Sequence, residues 1–252
     1  MREHAELANI AIVLHRPRYA ENIGAAARAM RNMGIKELIV VDPQNCDLTR
    51  ILKMATHAAS DVVEEMQVFD TLEEALAPFH FVVGTTARCG RQRPVIESPA
   101  VLAQRMLPIA RNNRVAVLFG PEDRGLTNED IHRCQWLVNI PTNEFASLNL
   151  AQAVMIICYA LFTSSRSGPV AHVPRLASRH ELDGMYAQVK DILVRICYIN
   201  PENPDYWMGK IRHFFTRIQV TAKEVSIIRG ICRQMNWYAQ KRHEDGKQSK
   251  EQ

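Results

Sequence analysis

The stretch "NIAIVLHRPRYAENIGAAARAMRNMGIKELIVV" (residues 9–41) decides the fold. Its ends, "NIAIVL" (9–14) and "LIVV" (38–41), are short β-rich apolar runs of the kind that form strands buried on both faces. Between them, 22–33 has helical spacing and Gly34 stops the helix. Inside that helix Arg28 stands among Gly24, Ala25, Ala26, Ala27 and Ala29. Small residues thin a helix so that another backbone can come close, and such a contact usually excludes an unpaired charge. Arg28 therefore either reaches water from a packed helix or is aimed at something negative.

The same alternation continues downstream. "FVVGTT" (81–86), "VAVLFG" (115–120) and "WLVNI" (136–140) read as further strands, with helical spacing over 71–77, 99–111 and 127–133. "TLEEALAP" (71–78) carries a Thr-x-x-Glu capping box closed by Pro78. Strands alternating with helices imply an α/β fold, a mainly parallel sheet covered on both sides. Ligands of such sheets bind outside the carboxyl ends of the strands.

Composition bounds the class. With 252 residues, 47% apolar and 23% charged, the chain can bury a sizeable core and is ordinary for a globular protein. Six scattered cysteines (Cys46, Cys89, Cys134, Cys158, Cys197, Cys232) form no Cys-x-x-Cys pair, which argues against zinc and against a disulfide framework. The start "MREHAELANI" lacks the apolar core of a signal peptide, and the longest apolar run, "LAQAVMIICYALF" (150–162), is too short to span a bilayer. A cytoplasmic protein with no metal and no membrane partner is expected.

Residues 163–175, "TSSRSGPVAHVPR", lose all periodicity and read as a linker. Helical segments follow near 179–198, 206–217 and 222–241, and the tail "KRHEDGKQSKEQ" is expected to fray. The division expected is an α/β domain over 1–163, a linker over 164–178 and a helical region over 179–252. Residues 1–174 hold 17 Lys and Arg against 18 Asp and Glu, whereas 175–252 hold 14 against nine, a net +5. A basic C-terminal region suits a polyanion, and equally a solvated helical surface.

Three strand ends have unusual sequences. "VVGTTARCGRQRP" (82–94) offers two hydroxyls and backbone N–H groups to a polar ligand, then Arg88, Arg91 and Arg93, a set suited to phosphates. "VLFGPEDRGLTNEDI" (117–131) turns sharply at Gly120, follows at once with Glu122, and starts a helix capped by Thr127. "VNIPTNEFASLNLAQAVMIICYAL" (138–161) leaves a strand at Ile140 and enters a long helix through Ser147 and Asn149, both ordinary helix-capping types. The Gly-x-Gly-x-x-Gly and Walker patterns are missing, so neither a dinucleotide nor a nucleotide triphosphate is indicated.

Taken together, N-x-G-x-x-x-R (Asn22, Gly24, Arg28), F-G-x-E-x-x-G-L (119–126) and I-P…S-L-N-L (140–150) resemble the motifs of SPOUT methyltransferases of the TrmH-type branch, in the same order. The segment "KIRHFFTRIQVTAKEVSIIRGI" (210–231) looks like the C-terminal extension of the TrmJ-type tRNA ribose methyltransferases. The resemblance implies a SPOUT fold, its sheet threaded into a trefoil knot, whose loops hold S-adenosylmethionine largely through backbone groups. By position these are Thr85, Thr86 and Ala87 on the first loop, Gly120 on the second, and Ile140, Ala146, Ser147 and Leu148 on the third. It also implies a homodimer packed through the first and last helices of the domain, which would give the alanine-rich surface 24–29 and the apolar helix 149–162 their partner.

The resemblance makes Arg28 catalytic: it would activate the ribose 2′-hydroxyl, by stabilising the developing alkoxide rather than by taking the proton, since a guanidinium normally stays charged. Asn22 and Glu122 would orient Arg28 or the loops, with Ser147 and Asn149 lining the same cleft. Phosphate contacts to tRNA would fall to Arg88, Arg91 and Arg93 and to Lys210, Arg212 and Arg217, while Trp207, Phe214 and Phe215 would pack the helices onto the dimer. The expected reaction is 2′-O-methylation of tRNA at nucleotide 32, a cytidine or uridine of the anticodon loop, with no role for DNA. Another tRNA or rRNA ribose, or a catalytically silent knotted RNA-binding protein, are the alternatives. One departure bears on the target: "GPEDRGL" places Pro121 and Asp123 where the TrmJ-type pattern has arginines around the glutamate.

Overall fold

A computed structural model describes residues 5–87, 95–143, 148–166 and 173–248. The chain divides into two compact units, Met1–Arg175 and Leu176–Gln252.

In the first unit the elements run α1 (Ala5–Ala8), β1 (Ile10–His15), α2 (Ala20–Asn32), β2 (Glu37–Val41), α3 (Leu48–Ala55), α4 (Ser60–Glu64), β3 (Gln67–Phe69) and α5 (Leu72–Leu76). They continue as β4 (Phe81–Thr85), β5 (Val95–Ile96), α6 (Pro99–Ala110), β6 (Val115–Phe119), α7 (Asn128–His132), β7 (Trp136–Val138) and α8 (Leu150–Ser165). The seven strands form one sheet in the order β3-β2-β1-β6-β4-β7-β5, every pairing parallel. All residues of β1 and β6 are buried, as apolar strands covered on both faces must be. On one face Ala11, Val13, Val82, Ala116 and Leu118 meet Leu72, Leu76 and Phe79 in one apolar cluster. Elsewhere α8 packs against both α2 and α6.

Two strands, the one-turn helix α1 and the helices α3 and α4 go beyond the sequence reading. β3 and β5 are three and two residues long, too short to show a period. α3 is capped by Asp47, whose carboxylate accepts from the Thr49 and Arg50 N–H groups, and α4 follows it. β7 is shorter than expected, ending at Val138.

α3 also corrects the account of the alanine-rich surface. A Cβ on Gly24 would lie 2.1 Å from the carbonyl oxygen of Ile51, so the missing side chain admits the α3 backbone. Ala26, Ala27 and Ala29 are buried, and α2 packs on α3 and α8 of its own chain. No second subunit is needed to cover Gly24, Ala26, Ala27 and Ala29. Cys158 of α8 is fully buried, which pushes its thiol up to about 12 and makes it a small apolar residue.

The second unit comprises α9 (Arg179–Arg195), α10 (Pro204–Arg217) and α11 (Ala222–Gln248). α9 opens with a complete capping box between Ser178 and Glu181. α10 starts two residues earlier than expected, with Asn203 as cap and Pro204 in its first turn. Leu182, Met185, Tyr186, Ile199, Met208, Val220 and Val225 form the core. α11 runs on through most of the tail expected to fray, because Lys241, Arg242, Glu244, Lys247 and Gln248 are good helix formers. Among the described residues no helix is long and apolar enough to cross a membrane.

Candidate active site

Because the strands are parallel, the loops after β1, β4, β6 and β7 all leave the same edge of the sheet. β1 and β6 are neighbours, and the chain runs from β1 toward one end of the sheet and later returns to the other. That reversal of strand order is where α/β sheets bind ligands.

Three of the expected site residues meet there. Asn22, in the first turn of α2, donates through Nδ2 to Glu122 Oε1 at 2.7 Å. The other Glu122 oxygen, Oε2, accepts the backbone N–H of Arg18 at 3.0 Å. Asn149 donates through Nδ2 to Asn22 Oδ1 at 2.9 Å, while its own Oδ1 caps α8 by accepting from the Ala151 N–H. Capping and site-building are thus one arrangement at Asn149. With both oxygens engaged, Glu122 is a clamp between the β1 and β6 loops rather than a free proton acceptor.

Gly120 permits this. A Cβ there would fall 2.3 Å from the Gly125 carbonyl carbon and 2.4 Å from the Leu126 nitrogen, so only glycine lets the loop fold back on itself. Gly125 takes a left-handed φ of +68°, and α7 begins behind a Thr127–Asp130 capping box.

Arg28 stands apart from this chain of bonds. It follows Asn22 by six residues, which on a helix is about 9 Å along the axis and about a third of a turn away in azimuth. Its side chain is exposed and, among the described residues, makes no hydrogen bond or ion pair. The expectation that Asn22 or Glu122 orients Arg28 therefore gives way to the other one, that they hold the loops. The charges around Arg28 on α2 are neutralised: Glu21 lies 3.6 Å from Arg50, and Arg31 pairs with Asp61 at 2.8 Å. Arg28 is left as a guanidinium available to an anion.

The first loop is less open than its sequence suggests. The Thr85 hydroxyl donates to the Leu118 carbonyl at 3.1 Å, and the Thr86 N–H donates to Val138 at 2.9 Å. The Thr86 carbonyl is held by Asn139 Nδ2 at 3.0 Å. These polar groups build the loop and are spent. By contrast the N–H groups of Gly120, Ile140 and Leu148 donate to no other described residue. Ala87 is exposed at the end of the first loop. Arg88, Arg91, Arg93, Ala146 and Ser147 lie outside the described residues, as does the side chain of Arg217.

Two contributors were missed from sequence. Arg18 supplies the N–H that fixes Glu122 and also reaches Asp123 through its guanidinium at 3.2 Å. The signal was the departure at Asp123: an acid where arginine was expected calls for a cation nearby. His15, at the end of β1, is buried with Asp130 of α7, Nδ1 to Oδ1 at 3.4 Å. Burial works to raise the Asp130 carboxyl, but His15 and the Thr127 N–H and hydroxyl outweigh it and bring it down to about 2. This pair ties the strand before Arg18 to the helix after Glu122.

In the second unit Lys210 and Arg212 are exposed on α10, with Arg212 over the Tyr186 ring at 5.4 Å. Phe215 packs against the core of its own unit, while Trp207 and Phe214 remain 42% and 54% exposed.

The model of the SpoU rRNA Methylase family matches residues 9–159, and that of the tRNA methyltransferase TrmJ C-terminal domain matches 180–248. A Pseudomonas aeruginosa relative, the tRNA (cytidine/uridine/adenosine-2′-O-)-methyltransferase TrmJ, is 35% identical over 239 residues, 89% of this chain and 93% of its own. An Escherichia coli relative, the tRNA (cytidine/uridine-2′-O-)-methyltransferase TrmJ, is 36% identical over 232 residues, 89% of this chain and 94% of its own. The crystal structure of TrmJ from Z. mobilis ZM4 superposes with a TM-score of 0.76 at 32% identity, covering 90% of this chain and 98% of that one. With the strand order, the clamp at Glu122 and these matches in place, the chain belongs to the SpoU methylase family, in its TrmJ group.

Proposed function

We propose that this protein methylates the 2′-hydroxyl of a tRNA ribose, at nucleotide 32 of the anticodon loop, using S-adenosylmethionine. The observation that carries the reading is the meeting of Asn22, Glu122 and Asn149 in a chain that aligns with tRNA 2′-O-methyltransferases over 89% of its length. S-adenosylmethionine fits the backbone N–H groups at Gly120, Ile140 and Leu148, which donate to no other described residue and allow recognition without polar side chains. Thr85, Thr86, Ala87, Ala146 and Ser147 complete the loops around it in this reading, and a trefoil threading of the last part of the domain encloses it.

When bound, S-adenosylmethionine supplies an electrophilic methyl on a sulfonium sulfur. The residues of this chain do the rest. Gly120 and the clamp at Glu122 hold the loop shape, so that the cofactor and the ribose approach in line. Arg28 is the catalytic residue: its guanidinium faces the 2′-oxygen and stabilises the negative charge that grows as the proton leaves to solvent or to the adjoining phosphate. Ser147 lines the cleft with Asn149. The protein works as a cytoplasmic homodimer, with the partly exposed Met155, Ile156, Tyr159 and Phe162 of α8 at the contact. Arg88, Arg91, Arg93, Lys210, Arg212 and Arg217 bind phosphates.

Two measurements test this. Calorimetry with S-adenosylmethionine shows binding if the enzyme reading holds, and none for a silent RNA-binding protein. Mapping 2′-O-methyl groups in tRNA from cells with and without the gene shows loss at nucleotide 32. Loss at a different tRNA or rRNA ribose is the second reading, favoured by Pro121 and by the pairing of Asp123 with Arg18 beside the glutamate.

A further inference from the structure

The geometry points to the exposed face of α10 as a stacking platform for unpaired nucleobases of the RNA, a role that rests on the tRNA reading above. Tyr206, Trp207, Lys210 and Phe214 recur at helical spacing on one side of α10. Tyr206 is 58% exposed, Trp207 42% and Phe214 54%, although aromatic rings usually dominate the buried surface of a domain. The opposite side of the helix is fully used: Met208, Ile211 and Phe215 enter the core against Tyr186 and Leu182.

The exposed rings are organised rather than scattered. Tyr206 and Trp207 meet edge to face, with centroids 5.7 Å apart. Lys210 Nζ lies 4.7 Å from the Tyr206 centroid and 4.8 Å from that of Trp207, so one ammonium sits over both rings. The one acid of α10, Asp205, is tied to Lys190 at 2.8 Å. The face therefore presents π surface next to a cation with no free carboxylate on the same helix, in a region of net +5.

This chemistry selects the occupant. A protein surface docking here would strand the Lys210 ammonium in an apolar contact, which is costly. An unpaired nucleotide satisfies both parts, because its base stacks on a ring and its phosphate meets the ammonium.

The test uses the full-length protein and a folded tRNA transcript over a range of salt concentrations. Tyr206→Ala with Trp207→Ala should weaken binding roughly ten- to a hundred-fold while leaving the salt slope unchanged, because rings release no counterions. Lys210→Ala should instead lower the slope by about one. The conservative pair Tyr206→Phe and Trp207→Phe should restore affinity. In a variant with Trp136→Phe and Trp237→Phe, Trp207 fluorescence should be quenched by oligouridine. Unchanged tRNA affinity in the double alanine variant overturns the platform while leaving the function reading intact. A fall in affinity that comes with a change of oligomeric state also overturns it and makes the face a contact between copies. If the unmodified protein binds no tRNA at all, the function reading fails first.

Discussion

The Cβ that Gly24 lacks would stand 2.1 Å from the carbonyl oxygen of Ile51 and 3.0 Å from the Cβ of Met54. One hydrogen in place of a methyl sets the distance between α2, which carries Asn22 and Arg28, and α3. Gly24→Ala must push backbone against backbone, since no flexible side-chain end is there to give. The expected cost is about 1–3 kcal/mol, the usual range for overpacking, read as a lower midpoint in thermal or denaturant unfolding. A midpoint equal to that of the unmodified protein would mean that α3 does not sit against α2 in solution.

Glu122 bridges two loops with both oxygens engaged. Glu122→Ala should leave the Asn22 amide and the Arg18 N–H unsatisfied and cost about 1–3 kcal/mol of stability. Asn22→Ala acts on the same bond, so the two substitutions together should cost less than their sum. A double-mutant cycle on unfolding free energy measures this, and strict additivity would rule out the coupling. Both variants should also lose methyl transfer.

Arg28 should behave in the opposite way. Its side chain is exposed and holds no other described residue, so Arg28→Ala should unfold within about 0.5 kcal/mol of the unmodified protein, as surface substitutions do. The same variant should bind S-adenosylmethionine yet lose most methyl transfer. Arg28→Lys should also be poor, because a point charge does not reproduce a planar fork. Normal turnover in both would return Arg28 to the role of a side chain merely reaching water.

The strands were legible because apolar runs such as 10–14 and 115–119 are buried on both faces and need no alternation to be recognised. The edges were not: Val68 in β3 is half exposed, and so short a strand exists only because β2 offers it a ladder. α3 carries a signal, Asp47 ahead of Leu48, Ile51, Leu52 and Ala55 at helical spacing, but at eight residues it is short enough to be mistaken for a connection. At the site, the motif resemblance named Asn22, Glu122 and Asn149, but the bonds among them depend on how three loops meet. Arg18 shows the limit most clearly, since its contribution to Glu122 is a backbone N–H that any residue except proline could give.

Acid should reveal the His15–Asp130 pair. A carboxyl held at about 2 in the folded chain, against an ordinary 3.8, stabilises the fold by roughly 2 kcal/mol above about pH 4 and loses that contribution as pH falls toward 2. Asp130→Asn should flatten the stability profile across that window and leave the slope at higher pH alone. Denaturant unfolding at a series of pH values measures it. An unaltered profile would place the acid sensitivity of the protein on other carboxylates.

Asn22 is 100 residues from Glu122 and 127 from Asn149 along the chain. Contacts of such separation are among the slowest to form, since the loop-closure entropy must be met before any bond is made. A nascent chain that has passed Asn22 and α2 has no partner for it until Glu122, almost halfway along the protein, has left the ribosome, and Asn149 follows later still. The site is thus the last thing the domain acquires, and a truncated or half-folded copy cannot modify RNA in error. In a refolding experiment, methyl transfer should return with the slowest phase, well after helical ellipticity has recovered.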